Sequence, residues 1–119
     1  MTPPEPAPDD LPRLNIAMSV EPSGARMALS GDLEYATVGD FEGAMARMAS
    51  DHPASDLTVD LQHLDFLDSS GVGALISASS AAGLRGVTLR CIRGSQNIQR
   101  PLEVAGVDRI LEFSDPPDS

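Results

Sequence analysis

The segment Asp68-Ser69-Ser70-Gly71-Val72-Gly73 has the residue types and spacing that best support a specific chemistry. Two adjacent hydroxyls follow a carboxylate and open a stretch, residues 69–82, that predicts a helix ended by Gly83 and Gly86. Backbone N–H groups without intrahelical partners and the positive end of the helix dipole collect at such a start. This position suits a hydroxyl that caps the helix and also a hydroxyl that is phosphorylated. The residues alone leave both uses open.

Enzymatic interpretations of this segment fail on spacing. A nucleophilic triad would recruit His63, Asp65 or Asp68, and Ser70. A nucleophile elbow, however, needs glycine two places before and two places after the serine, where this chain has Asp68 and Val72. A dinucleotide-binding turn would need a third glycine where Ile76 stands, and a chain without lysine has no Walker lysine. We therefore predict a protein that is not an enzyme.

In the first half of the chain, the spacing of the apolar residues changes twice. Apolar residues alternate over 14–18 and 27–30 around a turn at residues 21–24, which predicts two antiparallel strands. Apolar residues at spacings of three and four predict an amphipathic helix over 37–49, with Thr37 as its N-cap. Leu57, Val59 and Leu61 then alternate as a third strand, which places His63 in the loop after it.

The second half adds the elements that follow the predicted serine helix. Residues 87–92 predict a fourth strand. A third helix is expected to begin at or just before Ile98, because Pro101 limits it, and to end at Ala105, where Gly106 stops it. Residues 110–113 favour a short final strand. This order predicts an α/β fold, with a mixed sheet, an antiparallel N-terminal hairpin and helices packed on the sheet. Core spacings are expected to bury five sulfur-bearing side chains: Met18, Met27, Met45, Met48 and Cys91.

Length and composition fit one domain with short tails. The chain has 119 residues, 41% of them hydrophobic. Residues 1–12 carry five prolines and little apolar bulk, so we expect a disordered leader, a folded domain over 13–113 and a flexible tail over 114–119. A single cysteine and the absence of a Cys/His cluster predict neither a disulfide nor a metal site, and no motif predicts a cofactor. The N-terminus lacks the pattern of a signal peptide, and no apolar run reaches the ~18 residues of a membrane span, so we expect a cytoplasmic protein without membrane insertion.

The charge of the chain restricts its partners. Eighteen acidic residues against eight arginines give a net charge of -10, which disfavours nucleic acid as a partner. Thirteen of the acidic residues lie within residues 1–68, so the first half builds any acidic face. Glu34, Asp40 and Glu42 surround Tyr35 near the start of the first helix. They complement the helix dipole there, or they form a docking edge for an Arg-bearing partner.

Beyond these patterns, the chain resembles the STAS family (sulfate transporter and anti-sigma factor antagonist), and especially its stand-alone bacterial antagonists. The segment from Asp68 to Gly73 resembles the phosphorylation motif of that family. Further likeness lies in residues 29–34, which match its second strand, in residues 86–89, which match its fourth strand, and in residues 98–107, which match its last helix and turn. The resemblance covers about residues 13–113.

The resemblance implies a protein that antagonises an anti-sigma factor and so regulates transcription. Its unmodified form would bind an anti-sigma factor that is also a serine kinase, phosphorylation would release it, and a serine phosphatase would reset it. The second serine of such a pair is typically the phosphoacceptor, which points to Ser70, with Asp68, Ser69 and Gly71 as neighbours in the switch loop. Four residues become candidates for binding the partner: Asp32, Glu34, Thr37 and Asp65.

This chain departs from the family pattern at two places, and a second function stays open. Residues 31–34 read Gly-Asp-Leu-Glu where many relatives have Gly-Glu-Leu-Asp, and Pro101 stands where many relatives have a better helix former. The alternative function is a STAS adaptor subunit that docks on a transporter ATPase, or on another signalling complex, without a serine switch.

Overall fold

A computed structural model describes residues 13–117 of the chain. The elements, in chain order, are β1 (Leu14–Glu21), β2 (Gly24–Leu33), α1 (Val38–Asp51), β3 (Leu57–Leu67), α2 (Ser69–Leu84), β4 (Leu89–Ile92), α3 (Gln96–Val104), a 3-10 turn (Val107–Arg109) and β5 (Glu112–Ser114). This α/β order confirms the predicted fold class. The predicted leader, residues 1–12, lies outside the described residues, as do the last two residues of the predicted tail.

The five strands form one sheet in the order β1-β2-β3-β4-β5. β1 and β2 are the antiparallel hairpin, and every later neighbour is parallel. Parallel neighbours need a crossover, and α1, α2 and α3 supply the three crossovers. The carboxyl ends of β2 and β3 therefore lie side by side, and the connections to α1 and α2 begin there.

One face of the sheet carries the hydrophobic core. In β2 the side chains of Ala25, Met27 and Leu29 are buried, while the residues between them are partly exposed. This alternation is typical of a sheet that is covered on one face. The buried side chains of the helices join the same cluster, led by Phe41 in α1, Leu75 in α2, and Ile98 and Leu102 in α3.

β3 contains two irregularities that the alternating pattern did not predict. Ala28 pairs with Asp60 and Ser30 with His63, so β3 holds one extra residue there, and Asp65 is a second extra residue. Each bulge lengthens the spacing of buried residues from two to three, which puts Leu61, Leu64 and Leu67 inside. The prediction that His63 lies in a loop after the strand was wrong, because the strand continues through both bulges to Leu67.

Asp60 stabilises the first of these bulges. Its side chain is buried, and its Oδ1 accepts a hydrogen bond of 2.9 Å from the backbone N–H of Gln62, one of the residues at the bulge. Its Oδ2 accepts from the Arg26 guanidinium at 2.6 Å and from the Gln62 side-chain amide at 3.1 Å. A buried carboxylate is stable only when it is bonded in this way.

The C-terminal part differs from the prediction in detail. α3 begins two residues before Ile98, as expected, and it continues through Pro101. The last strand includes Ser114, whose carbonyl accepts from the N–H of Arg93 at 2.9 Å, so the fold extends one residue past the predicted boundary at 113. Met18 was predicted to be a core residue, but it lies on the edge strand and is 45% exposed.

Cys91 is fully buried in β4, as predicted, and this burial raises the pKa of its thiol to about 12. Within residues 13–117, no helix has the length and apolar character to cross a bilayer. The same residues contain no group of three or more potential metal ligands.

We predict that the buried thiol makes the protein lose stability above pH 9. The unfolded thiol deprotonates near its ordinary pKa of 9.0, whereas the folded thiol stays protonated up to about 12. Stability is therefore fully present below pH 9 and falls by up to about 1.4 kcal/mol per pH unit above it. Urea unfolding curves from pH 8 to pH 11 measure this slope.

The matched control is Cys91→Ala, which is expected to be less stable than wild type at pH 8 but to have a flatter slope, so that the difference shrinks as the pH rises. The chain has no lysine, so no lysine ammonium group contributes to the slope in this range. Equal slopes for wild type and Cys91→Ala would contradict the assignment of this pH dependence to the Cys91 thiol.

Candidate functional site

The predicted switch segment lies where β3 passes into α2. Leu67, the last residue of β3, pairs with Leu33, the last residue of β2, and the N–H of Asp68 donates to the Leu33 carbonyl at 3.3 Å. The segment therefore begins beside the β2–α1 loop, residues 34–37. The bulge at Asp65 shifts the register just before this point, so it helps to set where the serines lie.

Asp68 is the N-cap of α2 and joins this helix to the neighbouring loop. Its Oδ1 accepts from the backbone N–H of Gly71 at 3.0 Å, the bond of a capping carboxylate. Its Oδ2 accepts from the backbone N–H of Tyr35 at 3.1 Å. One carboxylate therefore satisfies two backbone donors and joins the start of α2 to the β2–α1 loop.

Ser69 and Ser70 are the first two residues of α2. Ser69 is exposed and Ser70 is partly exposed. Their backbone N–H groups belong to the helix turn that has no intrahelical acceptors, so they can donate to water or to an anion. The structure brings both hydroxyls to the surface at the positive end of the helix, which is the placement that the sequence indicated.

The β2–α1 loop is held by its own side chains. Thr37 occupies the N-cap position of α1, as predicted, but its hydroxyl does not cap the helix. It donates instead to the Asp32 carbonyl at 2.7 Å and accepts from the N–H of Glu34 at 3.1 Å. The Glu34 carboxylate accepts from the N–H of Ala36 at 3.0 Å. These bonds fix the conformation of the loop, which places the backbone N–H of Tyr35 next to Asp68.

The four residues predicted to bind a partner fall into two groups. Asp65 is exposed, and Asp32 and Glu34 are partly exposed. Thr37 is only 4% exposed, so it shapes the loop from within. The three carboxylates lie in β2, the β2–α1 loop and β3, close to the carboxyl ends of the two strands, which gives this end of the sheet an acidic character.

Apolar side chains border the acidic residues, and sequence reasoning missed most of them. Tyr35 is 82% exposed, Phe66 50% and Val104 81%. A shallow apolar groove of about 270 Å³ lies between the starting turn of α2 and α3, where Ser69 and Val72 face Pro101 and Val104. The bulge at Asp65 is the reason why Phe66 faces solvent, and no local sequence signal marked it.

The two glycines of the segment have different roles. A Cβ at Gly71 would lie 2.5 Å from the Leu33 carbonyl oxygen and 2.6 Å from Cδ1 of Leu67. Gly71 therefore allows α2 to approach the ends of β2 and β3. Gly73 has no such role, because a Cβ there would meet no atom within 4 Å.

Comparison with known proteins agrees with this fold. The sequence model described as "Mlab, STAS domain" matches residues 16–112, most of the chain. The chain therefore belongs to the STAS domain family.

Several relatives are named as antagonists of anti-sigma factors. An anti-sigma-B factor antagonist of Staphylococcus aureus is 24% identical over 102 residues, which cover 86% of this chain and 94% of the relative. Among solved structures, an anti-sigma factor antagonist from Mycobacterium paratuberculosis superimposes with a TM-score of 0.80 at 21% identity, over 94% of this chain and 92% of the other.

The antagonist SpoIIAA has the same fold and has been solved in two forms. Its unphosphorylated form gives a TM-score of 0.73 at 14% identity, over 86% of this chain and 88% of the other. The phosphorylated form, from Bacillus, gives a TM-score of 0.66 at 17% identity, over 86% of this chain and 91% of the other. These likenesses confirm the STAS fold.

We predict that Asp68→Ala lowers the free energy of unfolding by about 1–2 kcal/mol, because it removes the cap of α2 and the acceptor for Tyr35. Asp68→Asn should lower the free energy of unfolding by less, since the one carbonyl oxygen of asparagine can still accept one of the two hydrogen bonds. Chemical denaturation measures both. The control is Asp65→Ala, which removes an exposed carboxylate nearby. Its free energy of unfolding is expected to lie within about 0.5 kcal/mol of the wild-type value. A loss as large in the control would refute the bridging role.

We also predict opposite effects for alanine at the two glycines of α2. Gly71→Ala should destabilise the protein by about 1–3 kcal/mol, because the Leu33 carbonyl oxygen is backbone and cannot move aside cheaply. Gly73→Ala should stabilise it by about 0.5–1 kcal/mol through helix propensity. Thermal unfolding of the pair tests the close approach, and a Gly71→Ala protein as stable as Gly73→Ala would exclude it.

Proposed function

We propose that this protein is a cytoplasmic anti-sigma factor antagonist controlled by phosphorylation of Ser70. In this proposal the unmodified form binds an anti-sigma factor that is also a serine kinase, and it thereby regulates transcription. Phosphorylation of Ser70 releases the partner, and a serine phosphatase restores the binding form. The observation that carries the proposal is the partly exposed Ser70 in the first turn of α2, inside a surface that is both acidic and apolar. The names of the relatives support the same role.

The surface around Ser70 suits a protein partner. Tyr35, Phe66 and Val104 are large and exposed. Tyr35 lies in the loop that is bonded to Asp68, Val104 lines the groove beside Ser69, and Phe66 comes two residues before Asp68. Aromatic residues of this kind are enriched where proteins bind each other. Asp32, Glu34 and Asp65 add negative charge at the rim, which would steer an Arg-bearing partner to the site.

Phosphorylation would weaken such an interface in two ways. A phosphate adds about -1.5 to -2 charges at pH 7, next to the carboxylate of Asp68 and close to the rim acids. It also needs hydration, so its burial against Tyr35 or Phe66 would carry a desolvation cost. A tenfold loss of affinity needs only ~1.4 kcal/mol.

The phosphorylated chain would keep its fold. The helix dipole stabilises an anion at the N-terminus by about 0.3–1 kcal/mol, and the N–H groups of Ser69 and Ser70 are available as donors. Asp68 keeps its two backbone bonds in both forms. The switch therefore acts on the binding surface and needs no large conformational change.

The proposed activity is binding alone, without catalysis and without a cofactor. Of the residues that a triad would recruit, Asp68 is committed to the N–H groups of Gly71 and Tyr35. His63 lies on β3 with an exposed side chain, not in a loop beside the serines. We therefore assign the switch segment to recognition and modification.

We predict that charge at Ser70, and not charge elsewhere on α2, abolishes binding of the partner. Tagged wild type, Ser70→Ala and Ser70→Glu are expressed in the native cells, and quantitative mass spectrometry measures the proteins that co-purify. Ser70→Ala should retain the anti-sigma kinase. With Ser70→Glu, the amount of co-purified kinase should fall at least about tenfold, because the added carboxylate must be desolvated in the interface.

The matched control is Ser80→Glu, which adds the same charge at an exposed position near the other end of α2 and should bind like wild type. Equal recovery of the kinase with Ser70→Ala and Ser70→Glu would exclude the switch. If instead all variants recovered a transporter ATPase equally, the protein would be the adaptor subunit that the sequence left as the alternative.

A further inference from the structure

β1 is a long edge strand of the sheet. It has eight residues, and within residues 13–117 its only paired neighbour is β2. Proteins usually protect an edge strand with lysine, proline, a bulge or a very short length. β1 contains neither lysine nor proline, and its register with β2 is continuous from Leu14 to Glu21. The opposite edge, β5, has only three residues.

The hydrogen-bond pattern of the hairpin shows which backbone groups of β1 face outwards. The N–H of Asp32 donates to the Arg13 carbonyl at 2.7 Å, so these two residues form a hydrogen-bonded pair. Such pairs alternate along an antiparallel ladder. The odd-numbered residues of β1 therefore bond to β2, and the N–H and C=O groups that point away from the sheet belong to the even-numbered residues: Leu14, Ile16, Met18 and Val20.

The same four residues carry the apolar side chains of β1. Leu14 and Ile16 pack partly against the core, whereas Met18 and Val20 are 45% and 58% exposed. Met18 and Val20 border a groove of about 290 Å³ whose other side is the last part of α1. An added strand would bond the outward backbone groups and extend the apolar layer over these side chains.

We propose that β1 pairs antiparallel with β1 of a second copy of this chain, with Ala17 opposite Ala17. This register is self-complementary. It places Leu14 opposite Val20 of the second copy and Ile16 opposite its Met18, so all four outward-facing residues are bonded. It also places Arg13, which precedes β1, opposite Glu21, which ends it, and both of these side chains are exposed.

Other occupants fit this edge less well. A shift of two residues keeps the two-fold symmetry, but it leaves an outward-facing residue unbonded and separates Arg13 from Glu21. The chain's own residues 1–12 contain five prolines, which lack the N–H that a ladder requires. A second copy satisfies both the backbone groups and the charges.

The dimer joins two five-stranded sheets into one sheet of ten strands. Because β1 is antiparallel to β2 and to β1 of the second copy, the two β2 strands run in opposite directions. The two copies of Ser70 therefore lie at opposite ends of the joined sheet, and both remain accessible. This inference does not depend on the proposed function.

The test is the mass of the full-length protein in solution, measured by sedimentation velocity over a series of concentrations. Wild type is expected to reach twice the 12.5 kDa mass of the chain. Glu21→Arg and Arg13→Glu should each raise the dissociation constant by about tenfold or more, because each change occurs twice in a symmetric dimer. The double variant Arg13→Glu/Glu21→Arg should return close to wild type, since it restores both pairs with the signs exchanged.

The control is Glu103→Arg, the same charge change on the exposed surface of α3, which should leave the dissociation constant unchanged. Circular dichroism confirms that each variant is folded. A wild type that stays monomeric, single variants that dimerise as well as wild type, or a double variant without recovery would each overturn the proposed interface.

Discussion

The two hydrogen bonds accepted by the Asp68 carboxylate are the interaction on which the site depends. One bond caps α2 through Gly71, and the other holds the β2–α1 loop through Tyr35. Without them, the ends of two neighbouring parallel strands would present two independent loops. With them, the start of α2, which carries the serines, and the β2–α1 loop, which carries Glu34 and Tyr35, are held in one fixed arrangement.

The close contact of α2 with the sheet depends on the same region. Gly71 both donates to Asp68 and lets the helix approach the Leu33 carbonyl. A bulkier residue at this position would push the first turn outwards and would weaken the cap at the same time. A Ser-Ser pair that follows the cap and precedes this glycine is therefore held at the surface by packing as well as by hydrogen bonds.

Much of this architecture could be predicted from the sequence, because it rests on short-range patterns. The hairpin, the amphipathic α1, the start of α2 and the burial of Cys91 all follow from period, turn residues and composition. The two bulges of β3 could not be predicted, since they depend on pairing with β2, far away in the chain. They explain the wrong prediction for His63, which lies within β3, and the exposure of Phe66, about which the local pattern made no prediction. For Thr37 the position was predicted correctly, but its hydroxyl bonds to Asp32 and Glu34, because the tight β2–α1 loop offers those partners first.

The central claim is that phosphate on Ser70 and a bound partner exclude each other. The most direct measurement is phosphate mapping by mass spectrometry on protein recovered from its native cells and separated into partner-bound and unbound pools. The account predicts phosphate on Ser70 in the unbound pool only, with an anti-sigma kinase in the bound pool. Phosphorylated Ser70 within the bound pool, or unmodified Ser70 in both pools under all conditions, would contradict it.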